Sequence, residues 1–141
     1  MGTRNPEETN SSGPKQLGTT ASGQNDLVTG RLAGSSVGSY DIDSGVTSIR
    51  SPRISLPSSG NLVLTFNYYL AHLNNASSSD YFRVKIEGRS TSTVFERLGS
   101  GTDVDAAWQS ASVNLNSYAG DHHHPDRSRR CGIGQPGGSR R

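Results

Sequence analysis

Residues able to do chemistry are few here and fall in separate places. His122, His123 and His124 follow Asp121, with Cys131 close behind, a set of types that could ligate a metal ion. Three adjacent histidines on a loose chain lack the neighbours that orient metal ligands, so they read as a solvated tail. Gly34-Ser35-Ser36-Val37-Gly38 matches the nucleophile-elbow pattern G-x-S-x-G. That motif needs a strand before it and a helix after it, with a histidine and an acid in reach. Ser39-Tyr40-Asp41 and more turn residues follow instead, and His72, the histidine outside the tail, closes a strand-like run. A Ser/Gly loop is the expectation.

Asp41-Ile42-Asp43-Ser44-Gly45 spaces two carboxylates and a glycine like the opening of a calcium loop. The helix-loop-helix version would need a ligand at Gly45 and an acid at Pro52, and has neither. A β-sandwich loop can still hold calcium through two carboxylates and carbonyl oxygens, which makes Asp41 and Asp43 the candidate metal ligands. Asp103-Val104-Asp105 is a weaker echo. Trp108 and the tyrosines could offer a sugar-stacking platform, although single aromatics on alternating strands more often pack a core. Asn10-Ser11-Ser12 and Asn75-Ala76-Ser77 fit the glycosylation sequon, a frequent chance match. No placed nucleophile, general base or catalytic metal set emerges, so the expected catalytic residues are none.

The elements that would position these residues are strands. In residues 61–73, Leu62, Leu64, Phe66, Tyr68 and Leu70 face one way, while Val63, Thr65, Asn67, Tyr69 and Ala71 face the other. Ser58-Ser59-Gly60 before the run and Asn74-Asn75 after it are turn punctuation. Tyr81 to Glu87 alternates cleanly, with Phe82, Val84 and Ile86 inward, and Gly88 ends it. Residues 93–98 read as another strand, and residues 108–115 put Gln109, Ala111, Val113 and Leu115 on one face. Leu27-Val28-Thr29 suggests a first short strand. Residues 46–56 alternate loosely around Pro52, which an edge strand or a strand break tolerates. Roughly six short strands, with turn signals about every ten residues, indicate an antiparallel β-sandwich.

Composition divides the chain unevenly. The hydrophobic fraction is 30%, and the apolar residues concentrate between Leu27 and Tyr118. Residues 1–26 are rich in Gly, Ser, Thr, Asn and Pro and read as a linker or as the first part of the sandwich. Residues 27–120 form the expected domain and residues 121–141 a structureless basic tail. The net charge is +2, yet the tail's five arginines against two aspartates give it +3, which leaves −1 for the remainder. A nucleic-acid binder carries its basic face on the folded part, so no nucleic-acid partner is expected. Cys131 lies in the tail, so the domain has no disulfide framework or cysteine-based zinc site. No signal peptide and no membrane span is visible in this fragment, and no membrane partner is expected.

Permitted codons can be chosen for residues 121–141 so that a one-base shift encodes T-I-T-I-R-I-E-A-A-D-A-A-S-A-S-L-V-E-A-A. That string begins with an alternating β-strand. The tail therefore reads as out of frame from near Gly120, and sequencing the source DNA through this point tests it.

Several stretches together resemble one family: N-P-E-E-T-N-S-S-G-P-K-Q-L-G-T-T, N-D-L-V-T-G, D-I-D-S-G-V-T-S-I-R-S-P, L-T-F-N-Y-Y-L-A-H-L and A-S-S-S-D-Y-F-R-V-K-I. They look like the MAM-like, jelly-roll accessory domain that lies C-terminal to the catalytic domain in secreted bacterial zinc carboxypeptidases and other metallopeptidases. The resemblance covers residues 4–120. It implies a jelly-roll-like sandwich whose closing strands are missing here, which leaves a sheet edge open. It also implies secretion, and a partner in the parent's catalytic domain, where any zinc would sit. The functional expectation is a non-catalytic accessory module that docks the parent to substrate or surface. The alternative is a carbohydrate-binding or adhesive module, with polysaccharide or a cell-surface protein as partner and structural calcium at Asp41 and Asp43.

Overall fold

The computed structural model describes residues 7–9, 12–32, 39 and 45–120. Asp41, Asp43, the 34–38 loop, Asn10 and the tail from Asp121 onward lie outside the described residues.

The fold is all-β and antiparallel. Among the described residues there are four strands: β1 (Val63–Tyr68), β2 (Tyr81–Glu87), β3 (Thr91–Leu98) and β4 (Gln109–Asn114). Among the described residues the sole helical element is a 3₁₀ turn, Asn116–Tyr118, and no helix there is long and apolar enough to cross a membrane.

β2 and β3 form a hairpin paired from Tyr81↔Leu98 to Glu87↔Thr91. Its connection is Gly88-Arg89-Ser90, closed by a bond from the Gly88 N–H to the Ser90 carbonyl at 3.1 Å. Three-residue connections of this kind are common between antiparallel strands. β2 keeps the expected alternation, with Phe82, Val84 and Ile86 partly buried and Arg83, Lys85 and Glu87 exposed. β3 does not. Val84 faces Phe95 while Lys85 faces Thr93, so Val94 is an extra residue. This β-bulge turns the neighbours Val94 and Phe95 to the same partly buried side, which a strict period of two cannot do.

β1 pairs with β4 from Val63↔Asn114 to Tyr68↔Gln109. The ladder runs on past its formal end. The Leu115 N–H donates to the Leu62 carbonyl at 2.8 Å, and the Leu62 N–H donates to Asn116 Oδ1 at 2.7 Å. As expected, Leu64, Phe66 and Tyr68 turn inward and Val63, Thr65 and Asn67 outward. The strand stops at Tyr68, short of Leu73, because β4 begins opposite it at Gln109. Pairing resumes farther on as an isolated bridge between His72 and Val104.

The two sheets meet through rings. Phe66 and Tyr68 of β1 lie against Phe82 of β2 at centroid separations of 6.2 and 5.6 Å, and against Phe95 of β3 at 5.1 and 4.9 Å. Such aromatic pairs contribute about 0.5–1.5 kcal/mol each beyond simple burial. Among the described residues Tyr68, Ala106 and Leu115 are the buried apolar ones, and no large side chain is completely enclosed, so the described core is thin.

Two expected strands are not strands. Leu27-Val28-Thr29 and residues 46–56 belong to neither sheet. Leu27, Val46, Ile49 and Ile54 consequently stand open to solvent. Apolar alternation proposes a strand, but only a neighbour supplying a backbone ladder makes one.

Candidate functional site

Among the described residues, a group of interacting polar side chains joins the N-terminal segment to the loop before β4. Lys15 lies between Glu7 and Asp26 in a stretch with no other lysine or arginine. Its Nζ reaches Asp103 at 2.8 Å, Asp105 at 2.6 Å and the Val104 carbonyl at 3.3 Å. Those contacts use all three donors of the ammonium. The side chain is 8% exposed, whereas the two carboxylates are more than half exposed.

The backbone around Lys15 is shaped for this. A bridge between Thr9 and Gln16 folds the segment back on itself, and the Lys15 N–H donates to the Thr9 carbonyl at 2.8 Å. Pro14 then presents its carbonyl to the Ala106 N–H at 2.6 Å, fastening the fold-back beside Asp105. Asp103 and Asp105, the weaker carboxylate pair of the sequence, therefore hold an internal ammonium.

A second cluster adjoins the first. Trp108 meets Tyr69 edge to face at 4.8 Å, and its Nε1 donates to the Thr19 carbonyl at 3.2 Å. The Leu17 N–H donates to the Tyr69 hydroxyl at 3.4 Å. Trp108 is thus engaged with the N-terminal segment through both its ring and its N–H. Among the other tyrosines, Tyr68 is in the core, and Tyr81 lies beneath the Arg83 guanidinium at 3.9 Å. Among the described residues, Trp108, Tyr68, Tyr69 and Tyr81 do not form one exposed platform.

Both groups have pKa values displaced upward. Burial alone would lower that of Lys15, but hydrogen bonds and charge attraction from Asp103 and Asp105 outweigh it. At neutral pH Lys15 is an ammonium ion and not a nucleophile. Tyr69 is raised mainly by burial, with the Asp26 charge adding to the rise and the Leu17 N–H opposing it. In each case the folded state holds its proton more tightly than the unfolded chain. The associated stability is intact below about pH 10 and is lost as pH rises through the folded-state values. Urea midpoints are expected to fall between pH 8 and pH 11, and Lys15→Met should flatten part of that fall. Equal midpoints at the two pH values would contradict the assignment.

Asp26 is the outlier. Both of its carboxylate oxygens are buried and have no hydrogen-bond partner among the described residues. A buried charge without a partner is costly. Asp26→Asn is therefore expected to raise the melting midpoint in metal-free buffer, by roughly 1 kcal/mol of stability, and a lower midpoint would show that the carboxylate is compensated.

The sequence brought none of this cluster forward apart from Asp103, Asp105 and Trp108. Lys15 carried the one usable signal, a single cation in a long polar stretch. Asp26 carried none. His72 is placed by its backbone bridge to Val104, with Nδ1 at 3.0 Å from the Leu73 carbonyl. Comparison of the chain with family models, curated proteins and solved structures gives no match.

Proposed function

We propose that this chain is a non-catalytic β-sandwich module, jelly-roll-like, of a larger exported hydrolase, a zinc metallopeptidase of the carboxypeptidase type. Its role is to attach the catalytic domain to substrate, to a cell surface or to neighbouring domains. Zinc would belong to that catalytic domain. The observation that supports the reading is the contact of Phe66 and Tyr68 from one antiparallel sheet with Phe82 and Phe95 from the other, a packing that a sandwich would require. The stretches that resemble the accessory domains of secreted carboxypeptidases support the rest.

The test is a binding survey with the purified chain. Retention on protein surfaces, with no preferred sugar on a glycan array and no peptide hydrolysis, is the expected outcome. A single glycan bound reproducibly would favour the second reading.

The second reading is a carbohydrate-binding or adhesive module with structural calcium near Asp41 and Asp43. Separately, Asp26, with both carboxylate oxygens buried and without a hydrogen-bond partner among the described residues, is the kind of group a cation would neutralise. Millimolar calcium should then raise the melting midpoint, and Asp41→Asn with Asp43→Asn should abolish the rise. No calcium response in the unaltered chain would exclude this reading.

A further inference from the structure

Tyr68 links the two sheets through hydrogen bonds whose direction is fixed. Arg97 Nε on β3 lies 2.9 Å from the Tyr68 hydroxyl, and that hydroxyl lies 2.9 Å from Gln109 Oε1 on β4. A guanidinium can only donate, so the hydroxyl oxygen accepts from Arg97 and its single proton goes to the Gln109 oxygen. The groups left over are donors: Nη1 and Nη2 of Arg97, and Nε2 of Gln109, none of them bonded among the described residues. Arg97 also takes no part in the four ion pairs there, and the neighbouring Glu96 is committed to Arg83.

Both side chains are held before any ligand arrives. The Arg97 guanidinium lies over the Phe95 ring at 5.4 Å, within cation–π reach, and Phe95 packs against Tyr68 at 4.9 Å. Arg97 and Gln109 are exposed, whereas the Tyr68 between them is buried. Two solvent-facing donor groups, one from each sheet, are therefore anchored on one buried hydroxyl. Anchoring of this kind lowers the ordering cost of binding.

We propose that Arg97 and Gln109 form a binding site for a single carboxylate group of a peptide. A carboxylate is acceptor-only and matches the planar donors of a guanidinium two at a time. One cation without an acidic partner suits one negative charge, whereas a run of phosphates needs a row of cations. A sugar acid would gain from a free ring face to stack on, but Tyr68 is buried and Phe95 lies under the guanidinium. A peptide carboxylate needs no such face. This names a partner chemistry for the docking role proposed above and rests on that reading.

The test is an NMR titration of the full chain with three capped peptides. N-acetyl-triglycine carries a terminal carboxylate, N-acetyl-Gly-Asp-Gly amide a side-chain carboxylate, and N-acetyl-triglycine amide none. The side-chain signals of Arg97 and Gln109 are expected to shift with the acids, and the tighter of the two acids identifies the source of the carboxylate. The neutral amide should bind at least about tenfold more weakly. Gln109→Glu keeps an oxygen for the Tyr68 proton but replaces the free amide donor with an acceptor and gives Arg97 an internal partner. It should hold or raise the melting midpoint while weakening acid binding at least about tenfold. Undiminished acid binding in Gln109→Glu, equal binding of acid and amide, or no shift with either acid would overturn the site. Galacturonic acid bound more tightly than both peptide acids would overturn the peptide assignment. If the chain is still retained on protein surfaces after any of these results, the docking role stands and uses another surface. Acid binding at Arg97 by a chain that protein surfaces do not retain would instead leave this site standing and remove the docking role.

Discussion

Tyr68→Ala is expected to destabilise the fold by about 3–5 kcal/mol, the range for deleting a buried aromatic side chain. Tyr68 is 6% exposed and touches three rings, Phe66 on its own strand, Phe82 on β2 and Phe95 on β3. Its hydroxyl also bridges the sheets. It donates to Gln109 Oε1 on β4 at 2.9 Å and accepts from Arg97 Nε on β3 at 2.9 Å. Truncation would open a cavity where the sheets meet and remove the hydroxyl link between Gln109 and Arg97. In a domain with a thin core that is a large share of a total stability of about 5–15 kcal/mol. Tyr68→Phe separates the two effects, because it keeps the ring and loses the bridge. Its expected cost is about 1 kcal/mol. Urea unfolding followed by tryptophan fluorescence measures both variants. Equal losses for the two would mean that the hydroxyl, and not ring packing, joins the sheets.

Gly13→Ala should be the most damaging substitution in the N-terminal segment. Gly13 has φ +82°, a left-handed conformation that costs an L-residue about 1–2 kcal/mol. A Cβ there would also overlap the Asp105 carboxylate that Lys15 holds. The alanine variant thus has to move Asp105, and with it the contact between residues 13–16 and 103–106. We expect a loss of about 2–3 kcal/mol, strain and displacement together. Fluorescence of Trp108 should shift as well, because its N–H is bonded to Thr19 a few residues along the same segment. Gly23→Ala is the control. Its φ is +68° with nothing within 4 Å of the added methyl, so it should show the backbone cost alone. Equal losses for the two glycines would remove Asp105 from the explanation.

Much of the strand pattern was legible before the structure. The alternation of Phe82, Val84 and Ile86 matched β2 from Phe82 onward, although Tyr81, expected to face outward, is partly buried, and that of Leu64, Phe66 and Tyr68 matched β1. Period two is a local property, because successive side chains of an extended backbone must point to opposite faces. The expected face of β4 likewise places Ala111, Val113 and Leu115 inward, although Gln109 is exposed and reaches the core only through its bond to Tyr68. The bulge at Val94 was not legible, since it depends on which residue of β2 stands opposite.

The sequence by itself determined an all-β, antiparallel chain and most of the side chains that face inward. It did so because side-chain alternation and turn residues act over a few positions. Tertiary structure alone decided which alternating stretches become strands. Residues 46–56 carry nearly as much apolar alternation as β4, yet they remain outside both sheets, because a ladder requires a neighbour. It also decided the partners of Lys15, which lie about ninety positions away, where charge attraction and backbone bonding leave no periodic mark on the chain.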